Sequence, residues 1–158
     1  MSQISEPEEI DVFLNDSRTV GVTTETWANV LGFKEKTGVR NPLVGNKYVS
    51  VIFDRSEYLR IVRLFKGFNS VAVKPFCESL VFFAGSLNRT MVYELRNVLV
   101  DGETYGGENY PEVKVSPSLL PVKFVKRGDD CIGFRIVDAK HPLVIEDDVN
   151  RCLVAPYG

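Results

Sequence analysis

Short apolar runs separated by turn residues dominate the chain, and they limit its fold more than any other feature. Residues 10–14, 19–22, 48–53, 71–73, 80–83, 112–115, 122–126, 131–137, 143–145 and 152–155 are rich in β-branched, aromatic or aliphatic side chains. Gly, Pro, Asn, Asp or Ser interrupts between most of them, the punctuation of strands rather than of long helices. Within 131–137, Ile132, Phe134 and Ile136 alternate with smaller or polar residues, the period of a half-buried strand. Together with 122–126 across Arg127-Gly-Asp-Asp130, this segment reads as the clearest hairpin. Residues 91–100 fit two patterns. Met91, Leu95 and Val98-Leu99 suit a helix, while Met91, Tyr93 and Leu95 alternate as a strand. The turn dipeptide Asp101-Gly102 favours the strand.

Two segments depart from this pattern. Residues 53–67 carry a helix start, a helix stop and one basic face. Asp54 suits the N-cap and Glu57 the capping-box position, with Phe53 and Tyr58 spaced as a hydrophobic staple. Tyr58, Ile61, Val62 and Phe65 recur at helical spacing, and Gly67 suits a left-handed C-terminal position. Ile61-Val62 and Leu64-Phe65 are also strand formers, but the caps favour helix. Arg60 and Arg63 flank the apolar stripe, and Lys66 extends their row. The second helix is expected after Thr23 or Thr24, holding Trp27, Val30 and Leu31. A polar connector over 34–42 follows, broken by Gly38 and Pro42.

The fold class expected is therefore α+β: a mostly antiparallel β-sheet of short strands with two short helices. A β-sandwich or barrel with an inserted helix is the alternative. The strand–helix–strand succession over 47–73 could form one parallel crossover, although it is short for that. At 158 residues the chain has the length of one domain, expected as an acidic flexible tail over 1–9 and a globular domain over 10–158. The composition of 44% hydrophobic and 25% charged residues is that of an ordinary globular protein.

Residues 24–33, Thr-Glu-Thr-Trp-Ala-Asn-Val-Leu-Gly-Phe, followed by Lys34-Glu-Lys-Thr37, resemble the first helix and turn of a helix-turn-helix module. The resemblance implies a recognition helix after Phe33. Gly38 and Pro42 would interrupt that helix, so a short helix anchored by Trp27 under a sheet is the stronger reading of 24–42.

Residues able to do chemistry are sparse. The one histidine, His141, stands between Lys140 and Pro142, and a triad would have to use it. Cys77, Cys131 and Cys152 lack the paired spacing of a zinc site and suit reduced thiols. Asp129-Asp130 and Glu146-Asp147-Asp148 are acidic runs of the kind found in turns. Gly102, Gly106 and Gly107 are followed by no Lys-Ser or Lys-Thr pair, unlike a phosphate-cradling loop. No catalytic residue, metal site or cofactor is expected.

A non-enzymatic binding or assembly protein follows, a structural or accessory subunit of a viral particle being the specific expectation. A protein partner or self-association is expected, with intracellular or virion placement. The alternative is a nucleic-acid-binding protein that uses the helix over 53–67 or the segment 24–42. The interaction surface expected is Arg55, Arg60, Arg63 and Lys66. A net charge of −2 confines phosphate contact to such a local patch. No run of about 18 apolar residues is present, so no membrane span is expected. The acidic start differs from a signal peptide.

Overall fold

The computed structural model describes residues 9–14, 20–22, 36–102, 109–122, 129–148 and 151–157, with side-chain surroundings from Asn41 onward. Twelve strands and one α-helix lie among them. The strands are β1 (Glu9–Leu14), β2 (Val20–Val22), β3 (Lys36–Arg40), β4 (Val49–Asp54), β5 (Val71–Pro75) and β6 (Leu80–Gly85). They continue as β7 (Thr90–Leu95), β8 (Leu99–Asp101), β9 (Val113–Val115), β10 (Cys131–Ile136), β11 (Leu143–Glu146) and β12 (Arg151–Val154). The helix α1 spans Arg55–Leu64.

Two antiparallel sheets result. The larger has the order β3-β1-β2-β12-β11-β10-β4-β8, and the smaller β7-β6-β5-β9. The alternation read from the sequence sets the faces. Val49, Val51 and Phe53 of β4 point inward with Ile132, Phe134 and Ile136 of β10, while Ile52 points out. Phe82 and Leu80 of β6 point inward from the smaller sheet. Tyr58, Ile61 and Val62 of α1 and the following Phe65 join the same buried cluster. Phe134 is central to it, its ring centroid 5.1 Å from Phe53, 5.9 Å from Tyr58 and 6.2 Å from Phe82. Such edge-on aromatic pairs add about 0.5–1.5 kcal/mol each beyond the area they bury.

Several expectations are corrected here. The strand–helix–strand over 47–73 is not a parallel crossover: β4 lies in the larger sheet and β5 in the smaller, so α1 links two antiparallel sheets. One arm of the hairpin expected from 122–126 and 131–137 falls, apart from Val122, outside the described residues; its other arm, β10, pairs with β4 and β11. Residues 91–100 form two strands in different sheets, separated at Arg96-Asn97-Val98. β6 is interior to the smaller sheet, between β5 and β7.

The polar connector over 34–42 contains β3, paired with β1 from Glu9↔Arg40 to Phe13↔Lys36. An extended strand there rules out a recognition helix and, with it, the helix-turn-helix reading of 24–42. The helix expected near Trp27 falls outside the described residues. So does the tail expected over 1–9, apart from Glu9, which opens β1.

Gly102 follows β8. A Cβ there would lie 2.3 Å from the Tyr110 ring and 3.1 Å from Val49, so any other residue would have to displace that ring.

Candidate functional site

The helix start predicted from sequence forms, but by other bonds. Asp54 occupies the N-cap in an extended conformation without a side-chain cap hydrogen bond. Instead the Arg55 N–H donates to the Asp130 carbonyl at 2.8 Å, satisfying one of the helix's unpaired donors from the strand side. Glu57 suits the positive end of the helix dipole, yet its carboxylate serves a neighbour. It accepts the Tyr93 hydroxyl at 2.7 Å and lies 3.6 Å from the Arg60 guanidinium. The helix ends at Leu64, with Phe65 N–H bonded to Ile61 O. Gly67 is not left-handed; among the described glycines only Gly45 has a positive φ.

The four expected interaction residues separate into two groups. Arg55 is turned into the fold. Its Nη2 donates to Asp147 Oδ2 at 2.7 Å, and its Nε donates to the Asp129 carbonyl at 2.9 Å. The Asp147 carboxylate is wholly buried, while the Arg55 side chain keeps 21% exposure. Arg60, Arg63 and Lys66 are exposed along the helix and its C-terminal turn. No ion pair ties Arg63 or Lys66 to a described residue. The sequence reading missed Arg89. It follows the β6–β7 turn, and its guanidinium lies 4.4 Å from the Phe68 ring centroid. Its Nη2 is 3.1 Å from where a Gly67 Cβ would stand. The cationic row thus passes from α1 to the hairpin, a continuation that only strand pairing could disclose.

His141 and the acidic runs have partners within the fold. His141 Nδ1 lies 2.7 Å from Asp138 Oδ1, and that same oxygen accepts the Lys140 and His141 N–H groups. Burial pushes the Asp138 carboxyl up, but these hydrogen bonds outweigh it and leave it below the usual value. The two acidic runs, separate in sequence, meet: Asp129 N–H donates to Asp148 Oδ1 at 2.9 Å, with Arg55 between Asp129 and Asp147. Among the described residues no group of three His, Cys, Asp or Glu side chains could hold a metal ion. Cys77 and Cys131 are exposed and Cys152 is buried. Burial pushes the Cys152 thiol up to about 12, which makes it unreactive. Gly106 and Gly107 lie outside the described residues.

This architecture can be compared with solved structures. The DNA polymerase III beta subunit of Thermotoga maritima is 17% identical, with a TM-score of 0.59 over 93% of this chain and 41% of that one. The DNA polymerase sliding clamp of Pseudomonas aeruginosa is 15% identical, with a TM-score of 0.58 over 93% of this chain and 42% of that one. The fold is similar to that of the sliding clamps. The proliferating cell nuclear antigen of Thermococcus kodakaraensis agrees, at 14% identity and a TM-score of 0.60 over 97% of this chain and 67% of that one. The chain thus spans about two-fifths of the length of the bacterial beta subunits. No family model and no curated protein matches the sequence. The clamp likeness gives no support to the expectation of a viral-particle subunit. No described helix is long and apolar enough to cross a membrane.

Proposed function

We propose that the chain is a clamp-type, non-enzymatic accessory protein of a DNA polymerase, globular from residue 10 onward. In this reading it associates with further copies of itself and lies along DNA through the open face of α1. The observation that carries the reading is the exposed row Arg60, Arg63 and Lys66 along α1 and the turn after it in a clamp-like fold, continued by Arg89. A chain of net charge −2 has no overall attraction for phosphate, so contact would concentrate where cations cluster. Arg55 is left out of this surface because Asp147 and the Asp129 carbonyl occupy it. Self-association is supported by strand edges without a neighbour among the described residues, β3 in one sheet and β7 in the other. Such edges are templates for pairing with another chain, and pairing two different edges builds a head-to-tail assembly.

Fluorescence anisotropy with a labelled DNA duplex tests the DNA contact. Binding at about 50 mM salt should weaken with added salt, the log–log slope falling by about 0.9 for each phosphate neutralised. The double variant Arg63→Glu/Lys66→Glu should lose at least about tenfold in affinity and flatten that slope by about 2. Light scattering should give a mass above that of one chain. A strict monomer that binds no DNA at low salt refutes the proposal.

A further inference from the structure

The outward face of the larger sheet carries a feature that neither the clamp likeness nor the basic helix explains. The registers Ile52↔Leu99, Gly133↔Ile52 and Gly133↔Glu146 place Leu99, Ile52, Gly133 and Glu146 in one row across β8, β4, β10 and β11. Over this row lies an open cavity of about 440 Å³. Its apolar wall is Leu99, 73% exposed, and Ile52, 44% exposed. Exposed apolar surface of this kind marks an interaction site more often than a scattered single side chain does.

Gly133 makes the depression. Its φ is not positive, and a Cβ there would meet nothing closer than 3.7 Å. Packing and backbone geometry therefore do not require a glycine at this interior strand position, where glycine weakens a strand. What the missing side chain provides is empty space between Ile52 and Glu146.

The rim is acidic. Asp101 stands at one end, and Asp129 and Asp148 at the other. None of these three makes an ion pair with a described residue. Glu146 is held by Arg151 and Arg135, and Asp147 by Arg55. Three carboxylates without an ion pair to a described residue, set around an aliphatic floor, favour a cation that carries an apolar group over a nucleic acid.

We propose that this groove docks a cationic linear segment of a partner protein. One aliphatic side chain of that segment fills the space over Gly133, against Ile52 and Leu99. Lysine or arginine on either side faces Asp101 at one end and Asp129 and Asp148 at the other. The aliphatic anchor would supply the affinity, and the charges the orientation and rate of encounter.

The test is anisotropy of a fluorescein-labelled Lys-Arg-Gly-Leu-Gly-Arg-Lys peptide with the full chain. Saturable binding that weakens with salt is expected. Gly133→Val should weaken it at least about tenfold, as loss of a buried anchor does, while the circular dichroism spectrum and melting temperature hold. Replacing the peptide's leucine with glycine should cost about as much. Should Gly133→Val fail to fold, Leu99→Ser, at a mostly exposed position, carries the same expectation. Four outcomes overturn the proposal. The leucine peptide does not bind. The glycine peptide binds equally well, so that the attraction is only diffuse charge. The groove variants bind like the parent chain. Or those variants lower the mass in light scattering and leave peptide binding intact, so that a second copy covers the groove.

Discussion

The two ends of α1 carry the same residue type in opposite circumstances. At the first turn, Arg55 is held by Asp147 and the Asp129 carbonyl, Glu57 by Tyr93, and the Tyr58 hydroxyl by the Pro121 carbonyl at 2.6 Å. At the last turn, Arg63 and the following Lys66 are exposed, without an ion pair to any described residue. The first end binds the helix to both sheets; the last is open to whatever approaches. An arginine on a helix is thus a structural tie or a contact residue according to what the rest of the chain places beside it. Helical spacing alone does not distinguish the two.

Removing the tie should have the largest effect. Arg55→Ala leaves the wholly buried Asp147 carboxylate without its guanidinium partner. Breaking such a pair costs about 3–5 kcal/mol, and the partial exposure of Arg55 places this one near the lower end. Urea unfolding should show the fall in midpoint at constant slope. The double variant Arg55→Ala/Asp147→Asn should recover at least half of the loss, because the stranded charge is gone. Equal stability of the single variant and the parent chain would remove the contrast between the two ends.

Tyr58 comes next. Tyr58→Phe deletes the bond to the Pro121 carbonyl and should cost about 1–2 kcal/mol. The same tyrosine makes the anchored end sensitive to alkali. Burial raises its phenol well above the ordinary 10.0, the neighbouring Cys152 adds to this, and Arg55 opposes it. Burial likewise raises Cys152 from 9.0 to about 12. Both groups have folded values above their unfolded ones. The stability they confer is fully present below the unfolded value and is lost as pH rises through the folded one. The melting temperature should therefore be level across neutral pH and fall above about pH 9. Cys152→Ala should make the fall between about pH 9 and 12 shallower. A melting temperature unchanged to pH 11 would show that neither group is buried as described.

Elements were more legible in the sequence than their neighbours. Tyr58, Ile61, Val62 and Phe65 announce the buried stripe of α1, and Ile132, Phe134 and Ile136 the inner face of β10; all seven are buried. Alternation specifies which face a side chain occupies, but not which strand lies alongside. Hence 131–137 looked like one arm of a local hairpin, while β10 pairs with the distant β4 and with β11. The caps were legible as residue types, yet Asp54 makes no side-chain cap bond and Glu57 turns to Tyr93 and Arg60. Long-range partners won over local ones. The basic row was legible because its three residues are close in sequence, on α1 and the turn after it. Arg89 was not, since it reaches the row only through the β6–β7 hairpin. Nor was Arg55's withdrawal, since its partner is 92 residues away.

The open end offers the smallest change in stability and the sharpest test of the contrast. Charge reversal at Arg63 and Lys66 removes no ion pair to a described residue and leaves the apolar stripe untouched. Surface changes of this kind stay within about 0.5 kcal/mol, or about 1–2 °C in melting temperature for a chain of this length. A small loss is still expected, because Arg63 in the last turn faces the negative end of the helix dipole and a glutamate there does not. Adding salt should shrink this loss by screening. The Arg55→Ala loss should persist in the same salt, since the Asp147 carboxylate is buried and screened far less. A melting-temperature series in rising salt on the two variants therefore separates a solvated charge from a structural one. If the Arg63→Glu/Lys66→Glu protein instead loses several kcal/mol, its basic row is a packing element like Arg55, and the two ends of the helix are alike after all.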